Sequence, residues 1–75
     1  MYKEVFALRL KQSREELKLS QLTVSKDLEI NQSKLSKYET GTLEPNLETL
    51  GKLANYYQVS IDWLLGNPHG GKIHG

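Results

Sequence analysis

An all-α domain of five short helices is what this 75-residue sequence predicts, with a helix-turn-helix over residues 20–40. The first observation is a capping pattern that occurs four times: an apolar or prolyl residue, then Ser or Asn, then an apolar residue four positions after the cap. These are Leu19-Ser20 with Val24, Ile30-Asn31 with Leu35, Pro45-Asn46 with Leu50, and Val59-Ser60 with Leu64. A Ser or Asn at an N-cap accepts a bond from an otherwise unpaired amide, while the flanking apolar pair staples the entry angle of the chain. The second observation is spacing. Ser20 and Asn31 leave room for a helix of about two turns, a bend of about three residues and another short helix. The third is the absence of cysteine. Neither a disulfide framework nor a thiolate metal site can hold so short a chain, so a helical core must.

The first helix is expected from about Lys3 to Lys18, with Phe6, Leu10, Ser13 and Leu17 as its inward stripe and Arg9, Gln12, Glu15 and Glu16 opposite. Lys18 ends it where Gly would enter a left-handed cap more easily. A second helix, about Gln21 to Leu28, turns Val24 and Leu28 inward, and Ser25 is small enough for the next helix to cross closely. Glu29-Ile30-Asn31 is the bend. The third helix, about Gln32 to Glu39, has Leu35 and Tyr38 inward. Thr40 to Pro45 is a loop, with Gly41 suited to a helix C-terminus and Pro45 barring continuation. The fourth helix, about Leu47 to Tyr57, buries Leu50, Leu53, Ala54 and Tyr57. A fifth, about Ile61 to Leu65, is stopped by Gly66. Residues 1–66 form the domain, and 67–75, Gly-rich and nearly devoid of apolar side chains, are expected to be a flexible tail.

A chain of this length bounds one small domain with a single modest core. No run reaches the length of a membrane span and the start lacks the order of a secretory signal, so a cytoplasmic protein is the expectation. The net charge of +1 says little about an acidic partner, but it divides unevenly, as +2 over residues 1–19, 0 over 20–40 and −1 over 41–75. The N-terminal end is the electropositive one. His69 and His74 lie in the Gly-rich tail, too far along the chain from any Asp or Glu to suggest a defined site, and there is no thiol. Glu15, Glu16, Glu44 and Glu48 fall on exposed faces or at helix starts. No catalytic or metal site is expected, and no cofactor.

The functional signal sits on the third helix. Its outward residues Gln32, Ser33, Lys34, Ser36 and Lys37 include no carboxylate and suit donation to bases and phosphates. Gln can pair with adenine through both edges of its amide, while Lys and Ser reach phosphates or guanine. Gln32 and Ser33 stand at the helix start, where base contacts are usual. On composition alone a solvated polar face is the better reading, since a neutral helix-turn-helix segment is not a conspicuous nucleic-acid footprint.

From Phe6 to Gly66 the chain resembles the lambdoid phage repressor and Cro type of helix-turn-helix protein, also called the xenobiotic-response-element family. The matching residues include Arg9-Leu10-Lys11, Arg14, Leu19-Ser20-Gln21, Leu28, Ile30, Leu35 to Glu39, Gly41, Pro45, Leu47 to Leu50, Leu53-Ala54 and Val59 to Gly66. The resemblance implies a lambda-repressor-like fold and a role in binding double-stranded DNA. It implies that Gln21 bonds a phosphate, aided by the amides and dipole at its helix start. It implies base readout by Gln32, Ser33 and Lys37, with Lys34 between them. Ser36, Thr40, Thr42 and Asn46 would skirt the phosphates. Arg14 and Glu39 match a pair joining the first helix to the end of the third. Leu43, Ile61 and Leu65 match positions where subunits meet.

The chain also departs from the family pattern. Glu29 and Lys18 replace common glycines, and Thr40 and Leu43 stand where many relatives carry Arg or Lys. Two potential phosphate neutralisers are thereby missing, each worth about 0.9 in the salt slope of log K. These features together point to a sequence-specific transcriptional regulator, a repressor reading a palindromic operator as a weak dimer. The alternative is an antitoxin or regulatory subunit that works mainly through protein contact, to which an excess of exposed apolar residues such as Leu8, Leu22 and Leu43 would point.

Overall fold

A computed structural model describes residues 2–67 of the chain. Among these residues five helices follow one another, α1 Tyr2–Glu16, α2 Gln21–Leu28, α3 Gln32–Thr40, α4 Leu47–Tyr57 and α5 Ile61–Leu64. The four expected caps all form. Ser20, Asn31, Asn46 and Ser60 each accept a bond from the amide three residues on, at Thr23, Lys34, Thr49 and Trp63.

The helix ends share one plan. At each, a residue in left-handed conformation is followed by one whose amide reaches back five positions: Leu19 to Arg14, Ile30 to Ser25, Thr42 to Lys37, Val59 to Ala54 and Asn67 to Asp62. The residue before it bonds three positions back in every case, which completes a Schellman motif. The left-handed residues are Lys18, Glu29, Gly41, Gln58 and Gly66, so three of the five ends lack glycine. Those three ends are followed by Leu19, Ile30 and Val59, which belong to the core or pack against it, whereas Thr42 and Asn67 follow the glycines. Burying one such side chain contributes about 1.5–3 kcal/mol. That outweighs a left-handed penalty of about 1–2 kcal/mol. Lys18-Leu19-Ser20, Glu29-Ile30-Asn31 and Gln58-Val59-Ser60 are therefore one connector used three times.

Leu10, Val24, Leu35, Leu53 and Leu64 are fully buried and come from all five helices, with Phe6, Leu50 and Tyr57 around them. α3 packs against both α1 and α2, and α5 bridges α1 and α4. Ser25 closes the helix-turn-helix bend twice over, since its carbonyl accepts the Ile30 amide at 3.0 Å and its hydroxyl donates to the Ile30 carbonyl at 2.6 Å. At the far end Gly66 is required by space as well as by φ. A Cβ there would lie 2.8 Å from a Val5 methyl.

Several sequence expectations are corrected. Leu17 does not complete the inward stripe of α1. It is 53% exposed because the helix ends at Glu16, and past that point the period no longer governs which way a side chain faces. Leu19, half-buried, packs against the core in its place. Arg9 is not on a free outer face. Its guanidinium lies 4.8 Å from the centre of the Trp63 ring and donates to the Trp63 carbonyl, which ties α1 to α5. Leu65 caps α5 and is not part of it, and α3 runs one residue further, to Thr40. Asn67 belongs to the folded part through bonds from its amide and side chain to Asp62. The rest of the expected tail, with His69 and His74, lies outside the described residues.

Relief of the strain at the bend is measurable. Glu29→Gly is expected to raise the urea midpoint at constant m by about 0.5–1 kcal/mol of stability, because Gly enters φ 55° without the Cβ clash. An unchanged midpoint would mean that the Glu29 side chain contributes as much as its backbone costs.

Candidate nucleic-acid interface

The polar face of α3 is built by what lies behind it. Leu35, Tyr38 and Glu39 are buried, and this sets the rotation of the helix so that Gln32, Ser33, Lys34 and Lys37 stand exposed with Ser36 half-buried. Gln21, at the start of α2, is also half-buried. A shallow concavity of about 450 Å³ is lined by Gln21, Gln32, Ser33, Ser36 and Lys37. Five of the residues singled out in the sequence thus meet on one surface. Its lining holds one cation and no carboxylate, and every member is able to donate a hydrogen bond.

The remaining candidates fall around it. Lys34 is exposed but outside that lining, and its amide is held by the cap Asn31 at 3.2 Å. Thr40 and Thr42 stand side by side with hydroxyls 3.0 Å apart, and the Thr40 hydroxyl also donates to the Lys37 carbonyl at 3.2 Å. Asn46 spends its side-chain oxygen on the Thr49 amide at 2.8 Å, which leaves its NH2 end to donate outward. Leu43 and Ile61 are exposed. Leu65 instead lines a small apolar groove of about 210 Å³ with Phe6, Pro45 and Leu50, flanked by Lys3 and Glu44.

Behind the concavity lies an ion pair. Arg14 donates to Glu39 through Nε at 2.8 Å and Nη2 at 3.0 Å, and through Nη1 to the Leu19 carbonyl at 2.8 Å. The side chains are 13% and 1% exposed, so Glu39 is an almost wholly desolvated carboxylate. The bond to Glu39 raises the pKa of Arg14 and keeps its charge in place. Glu39 has a further partner that the sequence did not disclose. Its Oε1 also accepts from Gln21 Nε2 at 3.1 Å. Tyr57 packs nearby with its hydroxyl buried and without a hydrogen-bond partner among the described residues; burial first, then the charge of Glu39, push its pKa up. On the far side Tyr56 donates to Asp27 at 2.6 Å, and that bond pushes its pKa up to about 12.

Among the described residues no group of His, Asp or Glu is placed to hold a metal, and no helix is long and apolar enough to cross a membrane. A helix-turn-helix family model matches residues 10–64, which includes every element that shapes the concavity. The chain belongs to the Cro/C1-type helix-turn-helix family. This is a family of DNA-binding domains associated with transcription regulation. Three relatives come from Bacillus subtilis strain 168. The HTH-type transcriptional regulator ImmR is 41% identical over 58 residues, covering 77% of this chain and 46% of its own. The SPbeta prophage-derived uncharacterized HTH-type transcriptional regulator YonR is 42% identical over 65 residues, covering 87% of this chain and 60% of its own. The uncharacterized HTH-type transcriptional regulator YqaE is 33% identical over 69 residues, covering 92% and 60%. The chain thus spans about half the length of the curated relatives it matches. Within this family α2 and α3 are the helix-turn-helix pair, and α3 is its second helix.

The Arg14–Glu39 pair is testable without DNA. Removing either partner alone should cost about 3 kcal/mol, because the survivor is left largely buried without its counter-charge. A double-mutant cycle by chemical denaturation should return a coupling on the order of 1–3 kcal/mol. A coupling near zero would reduce the pair to a geometric coincidence.

Proposed function

We propose that this domain is the sequence-specific, double-stranded DNA-binding part of a transcriptional regulator and that it represses by occupying a palindromic operator as a dimer. The observation that carries the reading is the gathering of Gln21, Gln32, Ser33, Ser36 and Lys37 on one concave, carboxylate-free surface where α2 and α3 begin. In this reading the start of α3 enters the major groove. Gln32, Ser33 and Lys37 face base edges, with Lys34 reaching a base or the backbone. Gln21, Ser36, Thr40, Thr42 and Asn46 hold phosphates and set register. The work is binding, not catalysis, and it needs no cofactor. It takes place in the cytoplasm, where the operator is.

A helix of nine residues reaches only a few base pairs, too few to discriminate an operator from a genome of competing sites. Two copies about a two-fold axis double the contacts and read half-sites about one helical turn apart. Leu43, Ile61 and Leu65 are the candidates for the contact between them. So small a domain has little surface to spare, which favours a weak dimer completed on DNA.

A second reading, an antitoxin or regulatory subunit acting through protein contact, draws on the exposed side chains Leu8, Leu22 and Leu43, which are 67%, 48% and 37% exposed. Gene order separates the two. A toxin gene in the same operon favours the second, and a divergent promoter beside phage-like genes favours the repressor.

Selection of bound sequences from a random duplex pool tests base readout. Gln32→Ala and Lys37→Ala should change the selected motif as well as lower affinity, with about 1–3 kcal/mol of discrimination lost per contact. Gln21→Ala should weaken all sequences by a similar factor. An unchanged motif for the Gln32 variant would remove it from base readout. Stoichiometry tests the dimer: analytical ultracentrifugation at saturation should show two protomers per selected operator, and a single protomer would overturn that part of the proposal.

A further inference from the structure

Gln21 and Glu39 lie on different helices, and neither of the two roles above, phosphate contact for one and buried ion pair for the other, requires that they touch. They do, and the chemistry of the bond is one-sided. A carboxylate only accepts, so the end of the Gln21 carboxamide that faces Glu39 must be its NH2. One of the two Nε2 hydrogens is spent on Glu39 Oε1 at 3.1 Å. The other is left to donate into the concavity that Gln21 helps to line. The carboxylate that sets this orientation cannot itself turn, because both its oxygens are held by Arg14, which is in turn anchored to the Leu19 carbonyl just before α2 begins.

We infer that Glu39 is a positioning residue for DNA binding: held by Arg14, it aims the Gln21 amide donor at the phosphate backbone. The inference rests on the DNA-binding reading given above. A free Gln side chain samples several rotamers and both faces of its amide, and ordering it on binding would subtract from the contact. Here the ordering is already done in the folded domain. The ion pair therefore acts beyond stability, on a contact across the protein surface that neither Arg14 nor Glu39 makes.

The test compares backgrounds that lack the ion pair but differ in the acceptor left to Gln21. R14M/E39L removes the charges and the acceptor, and apolar replacement of a buried pair is commonly tolerated. R14M/E39Q removes the charges and keeps a carbonyl acceptor. Each background is measured with and without Gln21→Ala against one duplex selected from a random pool by the wild-type chain. Gln21→Ala should cost about tenfold in affinity in the wild type, as loss of a hydrogen bond to a charged oxygen does. The same substitution should cost several-fold in R14M/E39Q and no more than about twofold in R14M/E39L. A merely structural ion pair would leave the effect of Gln21→Ala the same in all three, which would overturn the inference. In the free protein, nuclear magnetic resonance should show one Gln21 side-chain amide proton shifted downfield in the wild type and returned to the ordinary position in R14M/E39L. Two averaged, unshifted protons in the wild type would overturn the positioning role while leaving DNA binding intact. A pool that yields no bound duplex would overturn the DNA reading, and the positioning role with it.

Discussion

The contact on which the rest of this small domain depends is the bidentate bond between Arg14 and Glu39. Taking a carboxylate almost wholly out of water is costly, and the attraction of one guanidinium often does no better than offset that cost. The pair is therefore better understood as a source of uniqueness than of stability. A helix with only Leu35 and Tyr38 to bury could roll or slide against α1 and lose little. With Glu39 obliged to meet Arg14, only one rotation and one height of α3 satisfy the charge. Because the same guanidinium holds the Leu19 carbonyl, the pair registers α1, the turn before α2, and the end of α3 in a single act.

Around that fixed point the chain economises on connections. An apolar residue between a left-handed position and an N-cap serves two helices at once, as the hydrophobic follow-on of one and the staple of the next. Leu19, Ile30 and Val59 all do this. The strain at Lys18, Glu29 and Gln58 is local and the burial that offsets it is local too, so each turn is nearly self-sufficient. The longer loop between α3 and α4 follows a different plan, with Gly41 at the turn and Pro45 before the next cap.

What was legible in the sequence divides along the same line between local and distant. Helix starts are readable at all four caps because an N-cap depends on residues within a single turn; position 18 is readable from where the first helix ends, whereas position 29 emerges only through resemblance to a family in which that place is commonly glycine. Gln58 was not singled out, though it has the same pattern around it. Leu17 was misplaced because periodicity carries no information about where a helix ends. Arg9 looked like a surface residue until Trp63, fifty-four positions away, covered it. Among the site residues, the polar content of α3 was visible directly, but the pairing of Arg14 with Glu39 came only through resemblance to a family. The bond from Gln21 to Glu39 came from neither. It spans eighteen residues and three helices' worth of packing, and no local pattern encodes it.

Within the nine residues of α3 buried and exposed side chains lie so close together that two different physical constraints fall on neighbouring residues. Leu35, Tyr38 and Glu39 are buried, so a change at one of them alone falls on the packing of the domain. Gln32, Ser33, Lys34 and Lys37 touch almost nothing in the folded protein, so exchanging them costs within about 0.5 kcal/mol of stability. The surface chemistry of α3 can therefore change by single substitutions while the scaffold stays intact. Divergence among relatives should accumulate at those four positions sooner than at Gln21, which is tied to the interior and is not free to wander.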